Sequence, residues 1–302
     1  MMAMFDRDKI RFAIMPTCWT NDDFPWVGDD IPFEQCVSEI ALAGFEGCSV
    51  GHKYPTDLPT LKKELGMRGL QVSEPWVSLY FTANDMADLT IEAFRKQIAF
   101  ITEMGGERIV VAELGNSVHQ LANVAVLPNK PVFDDEQWTR LVDGLHEVGK
   151  LTKEAGLDLC YHHHMGTGVQ TRAEVDRLMA DTDPDLVHLL LDTGHLLWGG
   201  DDPLELARAH ADRIRHVHLK DIRPAIMEEA VAKRWSFYDG MMAGVFTVPG
   251  DGCIDFPPIL QTLADAGYEG WFSVEAEQDA RKANPLEYAL KARAYLREVV
   301  GF

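Results

Sequence analysis

Histidine and carboxylate residues gather in four short stretches in the second half of the chain. These stretches are Tyr161-His162-His163-His164, Asp192-Thr193-Gly194-His195, His216-Val217-His218-Leu219-Lys220-Asp221 and Val274-Glu275-Ala276-Glu277. Imidazole nitrogens and carboxylate oxygens bind divalent transition metals, and two carboxylates with one or two imidazoles suit Mn²⁺ or Co²⁺ better than Zn²⁺ or Mg²⁺. If the four stretches meet in space, they form a metal centre with acid–base groups beside it.

Each polar stretch comes at the end of an apolar run that has the length of a buried strand. Several of the apolar runs in the chain follow a helical pattern that closes on glycine, as at Gly44, Gly69, Gly105, Gly156 and Gly267. Glycine just past a helix adopts the left-handed conformation without a Cβ penalty, so these positions predict helix-to-strand joints. The runs predict eight strands, at 11–15, 46–50, 70–75, 108–112, 157–163, 187–192, 214–219 and 271–275.

Eight apolar runs, each followed by a helical pattern, predict a parallel sheet covered by helices. Because no G-x-G-x-x-G fingerprint accompanies them, the expected fold class is α/β with a (β/α)8 TIM barrel. We expect one domain over 1–302, with a long loop at about 221–253 between the seventh strand and its helix. The carboxyl ends of barrel strands carry the active site, so the four polar stretches are predicted to meet there.

Each of these residues also has a structural interpretation when taken alone. Asp192 could cap a helix, and Glu275 could be a salt-bridge partner. A lone histidine in an apolar strand is commonly a hydrogen-bonded core residue. Four such groups at the same end of four consecutive strands favour a functional site over four separate structural roles.

Composition limits the class of partner. The formal net charge is −20 over 302 residues, and the acidic residues are spread along the chain. Such a field repels phosphate backbones and anionic membranes, so neither nucleic acid nor a membrane is an expected partner, and a neutral polyol is unaffected. Neither a membrane-spanning run nor a secretory signal is apparent. Five cysteines without a C-x-x-C pair fit a cytoplasmic protein, and a homo-oligomer is left open.

The strand-end residues resemble the ligand set of the xylose isomerase-like barrel superfamily. Its sugar isomerases and epimerases bind a divalent metal through Glu, Asp, His and Glu. Asp192 in LDTGH matches the Asp, His218 in HVHLKD matches the His, and Glu275 in VEAE matches the second Glu. The resemblance implies that these three are metal ligands, and that His195 and Arg223 occupy positions that contact substrate.

The first ligand position departs from the epimerase pattern. Where those enzymes carry a Glu, this chain has His162. Epimerases use two opposed carboxylates to remove and return a proton on either face of one carbon. Loss of one carboxylate therefore favours a reaction that needs a single α-proton abstraction. His162 is the expected fourth ligand, and His164 stays open as the alternative.

Nearly the whole chain resembles the inosose dehydratase family. The similar stretches include PWVGDD, YHHHMGTGVQT, LLLDTGHLLWGGDDP, HADRIRHVHLKDIRP and GVFTVPGDGCIDFPPIL. The resemblance implies elimination of water from 2-keto-myo-inositol (scyllo-inosose) to a trihydroxycyclohexane-1,2-dione in myo-inositol catabolism. It also implies Mn²⁺ or Co²⁺, and glutathione, for which no feature of the sequence gives a reason. A sugar or inosose isomerase or epimerase on the same barrel is the alternative.

That reaction requires a stabilised enolate, a base and an acid. An α-proton of a ketone is not acidic enough at neutral pH, and a divalent ion that chelates the carbonyl and the neighbouring hydroxyl would stabilise the enolate. His195 and Lys220 are the acid–base candidates, with Glu275 counted as both ligand and catalytic group. Which of them is the base is open. His164 and Arg223 are expected to contact substrate oxygens.

Two further carboxylates and two tryptophans reach the predicted mouth of the barrel. Glu74 and Glu113, at the ends of the third and fourth strands, could bond ring hydroxyls or form structural ion pairs. Trp19 and Trp76 could supply apolar walls, although core packing is the commoner role of tryptophan. The segment 244–255 is predicted to be a turn-rich loop that covers the site.

Overall fold

The computed structural model describes residues 4–302, which form an α/β barrel. The described residues contain the strands β1 (Ile10–Ile14), β2 (Gly47–Cys48), β3 (Gln71–Val72), β4 (Trp76–Leu79), β5 (Arg108–Glu113), β6 (Asp158–His162), β7 (His188–Asp192), β8 (Ile214–Leu219), β9 (Asp221–Ile222), β10 (Phe246–Thr247) and β11 (Gly270–Val274). Nine of them form one parallel sheet in the order β3-β2-β1-β11-β8-β7-β6-β5-β4, and β9 pairs antiparallel with β10. The barrel and seven of the eight predicted strand positions are confirmed.

The third strand of the barrel is divided in two. The sequence predicts one strand over 70–75, whereas the structure has β3 and β4 separated by residues 73–75. Pro75 has no N–H to donate, and a ladder is interrupted at such a residue. Ser73 N still donates to Cys48 O, and Val110 N donates to Pro75 O. The segment therefore bridges β2 and β5 and closes the ring.

Helices surround the sheet and fill the connections between strands. They are α1 (Phe33–Ala43), α2 (Leu58–Gly66), α3 (Ala87–Met104), α4 (Asp135–Glu154), α5 (Arg172–Asp181), α6 (Thr193–Gly199), α7 (Pro203–His210), α8 (Pro224–Lys233), α9 (Phe237–Ala243), α10 (Phe256–Asp265) and α11 (Pro285–Val300). The predicted helix-to-strand joints are confirmed, because positive φ values occur at Gly44, Gly69, Gly105, Gly156 and Gly267. Among residues 4–302, no helix is long and apolar enough to cross a membrane.

The main core lies between the sheet and the helix layer. On α4, Leu141, Leu145 and Val148 are fully buried at spacings of four and three residues, which places them on the face that packs against the barrel. All six residues of β5 are buried, as expected for a strand covered on both faces. This rigid frame fixes where the strands end, and therefore where the polar side chains at those ends lie.

A second apolar cluster covers the carboxyl end of the barrel. It combines side chains of several βα connections, among them Phe24, Val118, Met165, Trp198, Phe237 and Phe246. Residues 221–254, called the cover segment below, lie where the sequence predicts a long loop between the seventh strand and its helix, and they contain α8, α9 and the β9–β10 pair. The carboxylate of Asp221 accepts hydrogen bonds from the backbone N–H groups of Ile222, Gly250, Gly252 and Ile254. The cover segment is thereby fixed to the end of β8.

Candidate active site

Asp192 lies at the centre of the polar strand ends. It is the last residue of β7, and its side chain is fully buried. Its Oδ1 accepts a hydrogen bond from His195 N at 2.7 Å and caps α6. Its Oδ2 lies 3.3 Å from His162 Nε2 and 3.7 Å from His218 Nδ1. The sequence offered helix cap and metal ligand as alternatives, and the structure provides one carboxylate oxygen for each role.

Donor atoms from several strands converge on that second oxygen. One donor atom each from His162, Asp192, His195 and Glu275 lie within 4.8 Å of one another. Glu275 Oε2 also lies 2.8 Å from His218 Nδ1. Ligand atoms about 2 Å from a single ion stand roughly 3–3.5 Å apart. The composition and spacing of this group, called the metal set below, therefore fit a divalent ion.

His218 faces carboxylates through both ring nitrogens. Its Nδ1 points at Glu275, and its Nε2 lies 3.3 Å from Glu74 Oε1. Burial disfavours a charge on this ring, but the charge of Glu275 and the contacts with Asp192, Glu275 and Glu74 raise the pKa of His218 well above its usual value. The carboxylates around His218 therefore stabilise a positive charge at the position of this ring. A bound divalent ion would supply that charge and displace the proton.

Glu74 lies inside the barrel beneath the metal set. Its side chain is 1% exposed, and its Oε2 lies 3.4 Å from both His216 Nε2 and Ser273 Oγ. Burial opposes ionisation, but His216 and His218 together lower the pKa of Glu74 below its usual value. The structure therefore supports the ion-pair interpretation of Glu74 and not contact with substrate hydroxyls. A carboxylate on the second nitrogen of a ligand histidine orients the ring.

Lys220 is a buried cation next to the metal set. Its Nζ lies 2.7 Å from His195 Nε2, 2.8 Å from Glu277 Oε2 and 3.3 Å from Glu275 Oε2. Burial alone would lower its pKa, but Glu275, Glu277 and Asp192 raise the pKa of Lys220 above its usual value. Lys220 therefore carries a positive charge at neutral pH, which is incompatible with a role as the resting base.

Glu277 is a site residue to which the sequence analysis gave no role. Its side chain is almost fully buried, and Asn21 Nδ2 lies 3.5 Å from its Oε1. Burial raises the pKa of Glu277 to about 7, with Glu275 acting in the same direction and Lys220 opposing both. The signal was present in VEAE, because residues two apart on a strand point to the same side.

The cavity above the metal set is formed by loops as well as strand ends. Its lining includes Thr17, Asn21, Asp22, Asp23, Ser49, Trp76, His164, Glu275 and Glu277. Asp23 Oδ1 accepts a hydrogen bond from Gln120 Nε2 at 2.7 Å, and Asp23 Oδ2 lies 3.6 Å from His119 Nε2. The first and fourth βα loops therefore bring polar groups that no strand-end pattern could have revealed.

The strand 5 histidines take different positions. His162 belongs to the metal set, whereas His164 lines the cavity, as expected for a substrate contact. His164 Nδ1–H donates to Met165 O at 2.8 Å, so its Nε2 carries no proton when the ring is neutral. Burial lowers the pKa of His164 well below its usual value, and its ring centroid lies 3.7 Å from that of His195. Geometry favours His162 over His164 as ligand.

Comparison with known proteins identifies the family. The family model described as the xylose isomerase-like TIM barrel matches residues 22–299. An inosose dehydratase from Geobacillus thermodenitrificans is 52% identical over 298 residues, covering 99% of this chain and 100% of the relative. Inosose dehydratase 2 from Bacillus cereus is 49% identical, with the same coverage of 99% and 100%. The chain belongs to the inosose dehydratase family.

Solved structures agree with the barrel. The IOLI protein with a bound zinc atom superposes on this member of the inosose dehydratase family with a TM-score of 0.68 at 16% sequence identity, over 96% of this chain and 98% of that one. At that level of identity the likeness shows the fold alone. The family assignment depends on the two full-length relatives.

Glu113 bonds to the backbone in this member of the family. Its Oε1 accepts hydrogen bonds from Thr82 N at 3.2 Å and Gly115 N at 3.0 Å, and its Oε2 accepts one from Phe81 N at 2.9 Å. The side chain is fully buried, and burial raises the pKa of Glu113 to about 7. This carboxylate satisfies backbone N–H groups of the loops after β4 and β5, which favours a structural role for Glu113, and contact with a ring hydroxyl stays a prediction.

Arg223 also has a structural role. Its Nη1 donates to Gly244 O at 2.9 Å and Phe246 O at 3.1 Å, and its Nη2 donates to Thr247 Oγ1 at 2.9 Å and Asp251 Oδ2 at 2.8 Å. These bonds direct the guanidinium into the cover segment, and the expected contact with substrate oxygens stays a prediction. Arg223 links the two ends of that segment.

The two tryptophans predicted as walls of the site, Trp19 and Trp76, occupy different positions. Trp19 is fully buried, its Nε1 donates to Glu39 Oε2 at 2.6 Å, and it does not line the cavity. The expectation that Trp19 forms a wall of the site is wrong. Trp76 does line the cavity, and its ring centroid lies 5.4 Å from that of His162. Trp76 supplies the apolar wall in its place.

Proposed function

We propose that this protein eliminates water from 2-keto-myo-inositol to give a trihydroxycyclohexane-1,2-dione. The protein is a metal-dependent dehydratase by family, with relatives named for this reaction at about half identity over the full length. The observation that carries the proposal is the position of the metal set, which opens through Glu275 onto a cavity that Glu277 and His164 also line. Metal binding and proton transfer can therefore act on one small ligand.

We assign His162, Asp192, His218 and Glu275 as ligands of one Mn²⁺ or Co²⁺ ion. Asp192 Oδ2 lies 3.3 Å from His162 Nε2, and Glu275 Oε2 lies 2.8 Å from His218 Nδ1. These contacts support this choice over a set that includes His195, because His195 Nε2 is occupied by Lys220. When bound, the ion supplies Lewis acidity to the substrate carbonyl. Glutathione stays an expectation from the family resemblance, since no group of the described residues gives it a distinct site.

Glu277 is placed to exchange protons with the substrate. It lines the cavity, while Lys220 and His195 lie directly behind it, at 2.8 Å and 3.7 Å from its Oε2. The carboxylate takes the α-proton, the β C–O bond breaks, and the departing hydroxyl takes a proton from the resulting acid and leaves as water. Lys220 holds Glu277 in position and offsets its charge, with His195 as the next acceptor in line.

The cover segment excludes water from these groups. Phe246 places its ring 4.5 Å from Lys220 Nζ and 5.3 Å from the His195 ring, and Phe237 stacks on the other side of His195. A site closed to bulk water strengthens every electrostatic contact within it. We place the reaction in the cytoplasm, because the five cysteines within the described residues are unpaired.

Substitution of two neighbouring carboxylates, Glu275 and Glu277, distinguishes the loss of metal binding from the loss of proton transfer. In Glu275→Gln we expect both Mn²⁺ affinity and activity to fall, because a ligand charge is lost. In Glu277→Gln we expect Mn²⁺ affinity within about twofold of the parent and turnover lower by about a hundred- to ten-thousand-fold. Dione formation from 2-keto-myo-inositol is followed by ultraviolet absorbance, and Mn²⁺ binding by calorimetry. An isomeric ketone as the only product would establish the isomerase alternative and refute the dehydratase.

A further inference from the structure

The neighbours of Lys220 form a second group of metal-type ligands. Its Nζ lies 2.7 Å from His195 Nε2, 2.8 Å from Glu277 Oε2, 3.3 Å from Glu275 Oε2 and 3.9 Å from Asp192 Oδ2. One imidazole nitrogen and three carboxylate oxygens around a single point are donors that a transition metal would accept. An ammonium group takes the place of an ion at that point.

This second group adjoins the metal set. Asp192, His195 and Glu275 belong to both groups, and donor atoms of His195 and Glu277 also lie within 4.8 Å of a donor atom of His164. Glu275 Oε2, which belongs to the metal set, lies 2.8 Å from His218 Nδ1 and 3.3 Å from Lys220 Nζ, so one oxygen faces both positions. Two-metal enzymes hold their ions about 3.5–4 Å apart, commonly across shared ligands. The barrel mouth therefore has the ligands for two cations.

We propose that the ammonium group of Lys220 is the resident second cation of this site, so that the protein binds one divalent ion where its ligands could hold two. The inference rests on the proposed metal centre and not on dehydration. Lys220 Nζ lies at the point that a second ion would take, within 3.3 Å of donor atoms of His195, Glu277 and Glu275. A second divalent ion could therefore bind only if the ammonium were displaced from these buried carboxylates.

The chain is built to hold the lysine stem in this position. Lys220 follows His218 by two residues at the end of β8, which directs both side chains to the barrel centre. Thr193 Oγ1 accepts from Lys220 N at 3.0 Å and donates to Lys220 O at 2.7 Å. A Cβ at Gly194 would lie 2.4 Å from Lys220 Cγ, so only glycine leaves room for the stem. The face of Phe246 completes the enclosure, 4.5 Å from Nζ.

The number of bound Mn²⁺ ions tests the proposal without reference to activity. Metal content after dialysis and electron paramagnetic resonance at saturating Mn²⁺ should give one ion per chain for the parent, with no spin-coupled pair. Lys220→Met removes the ammonium at similar volume, and we expect two ions per chain with a coupled spectrum. Lys220→Arg keeps a cation and should bind one ion. The double variant Lys220→Met/Glu277→Gln lacks a ligand of the second group and should return to one.

Each outcome supports or refutes the proposal that Lys220 is the second cation of the site. A coupled pair in the parent, or a single ion in Lys220→Met, would overturn it. If Lys220→Met unfolds without metal, recovery of the fold with two equivalents of Mn²⁺ supports the proposal, and failure to fold at saturating Mn²⁺ refutes it. A protein that binds one ion and does not dehydrate 2-keto-myo-inositol would refute the proposed function and leave this inference standing.

Discussion

A histidine that binds metal through one ring nitrogen is positioned by the partner of the other nitrogen. In His218, Nδ1 faces the metal set, and Nε2 lies 3.3 Å from Glu74 Oε1. Glu74 also holds His216, so one buried carboxylate orients two rings of β8. Such outer partners typically change metal affinity by about 10- to 100-fold when they are replaced. Glu74 is therefore a positioning residue, although it never reaches the cavity.

Replacement of Glu74 measures that role. In Glu74→Gln we expect Mn²⁺ affinity to fall by about 10- to 100-fold, because the amide removes the charge that holds His218. The matched control is Glu113→Gln, which alters another buried strand-end carboxylate that bonds only backbone and Thr82. The control should keep the affinity of the parent. Equal affinities in both variants would show that Glu74 does not orient the ligand.

His162 is the residue where the chain departs from the epimerases. A carboxylate there would face Asp192 across the 3.3 Å that now separates Oδ2 from Nε2, and it would restore a second base on the opposite side of the metal set. In His162→Glu we expect the ion to be retained, most dehydration to be lost, and slow exchange of the α-proton with solvent to appear in deuterium oxide by NMR. Dehydration at the parental rate would mean that this position does not decide the reaction.

At the scale of elements, the sequence predicts a strand correctly where the fold produces a local pattern of residues. Buried parallel strands are apolar along their whole length, so seven of the barrel strands were predicted within about two residues. The exception is the third barrel strand, which Pro75 divides into β3 and β4. The polar strand ends predicted His162, Asp192, His218 and Glu275 as neighbours. Asn21, Asp23 and His119 lie in loops, and their approach to the cavity depends on tertiary contacts that no spacing reveals.

The cover segment shows the same limit. The sequence predicted a long connection here, and the helices α8 and α9 inside it are stabilised by packing in the second apolar cluster, which no local pattern indicated. Arg223 was assigned to substrate from the resemblance, and its hydrogen bonds go to Gly244, Phe246, Thr247 and Asp251 instead. Arg223 follows β8 in the sequence, so it could be predicted to lie near the site. The direction of its guanidinium depends on the backbone path of the cover segment, which the sequence pattern does not show.

Loss of Arg223 should loosen the cover segment without affecting the metal. In Arg223→Ala we expect stability to fall by about 2 kcal/mol, because several hydrogen bonds to a charged group are lost. Amide hydrogen exchange over 244–254 should become faster and KM should rise, while Mn²⁺ affinity stays unchanged. Arg208→Ala, which removes an exposed arginine of α7 paired with Glu205, is the control. Slow exchange in 244–254 of Arg223→Ala would contradict this account.

At the scale of the molecule, the barrel encloses an unusual number of uncharged histidines. Burial, as the largest cause, lowers the pKa of five of them that lie around the barrel mouth: His162, His163, His164, His195 and His216. Carboxylates raise the pKa of His218 instead. The fold therefore keeps one charged and five neutral rings together, which couples its stability to pH.

The lowered pKa of the five histidines and the raised pKa of His218 affect stability in opposite directions. A histidine with a lowered folded pKa stabilises the fold above its unfolded pKa of about 6.5, and this contribution is lost as pH falls. His218 has a raised folded pKa, so its contribution is fully present below about pH 6.5 and is lost only as pH rises through the folded value. Between pH 6.5 and 5 the five neutral rings lower the stability as the pH falls, while Glu113 and Glu277, whose folded pKa is raised to about 7 by burial, oppose part of that slope.

We expect the free energy of unfolding of the metal-free protein to fall as the pH falls from 7 to 5, by about 1.4 kcal/mol per pH unit for each proton that the unfolded chain binds in excess. Urea unfolding at several pH values gives this slope. His163→Gln should reduce it by up to one proton, because glutamine can still accept the hydrogen bond from Asp192 N but does not titrate. A slope that is flat in the parent, or equal in the parent and His163→Gln, would mean that the buried rings already bind protons in the folded state.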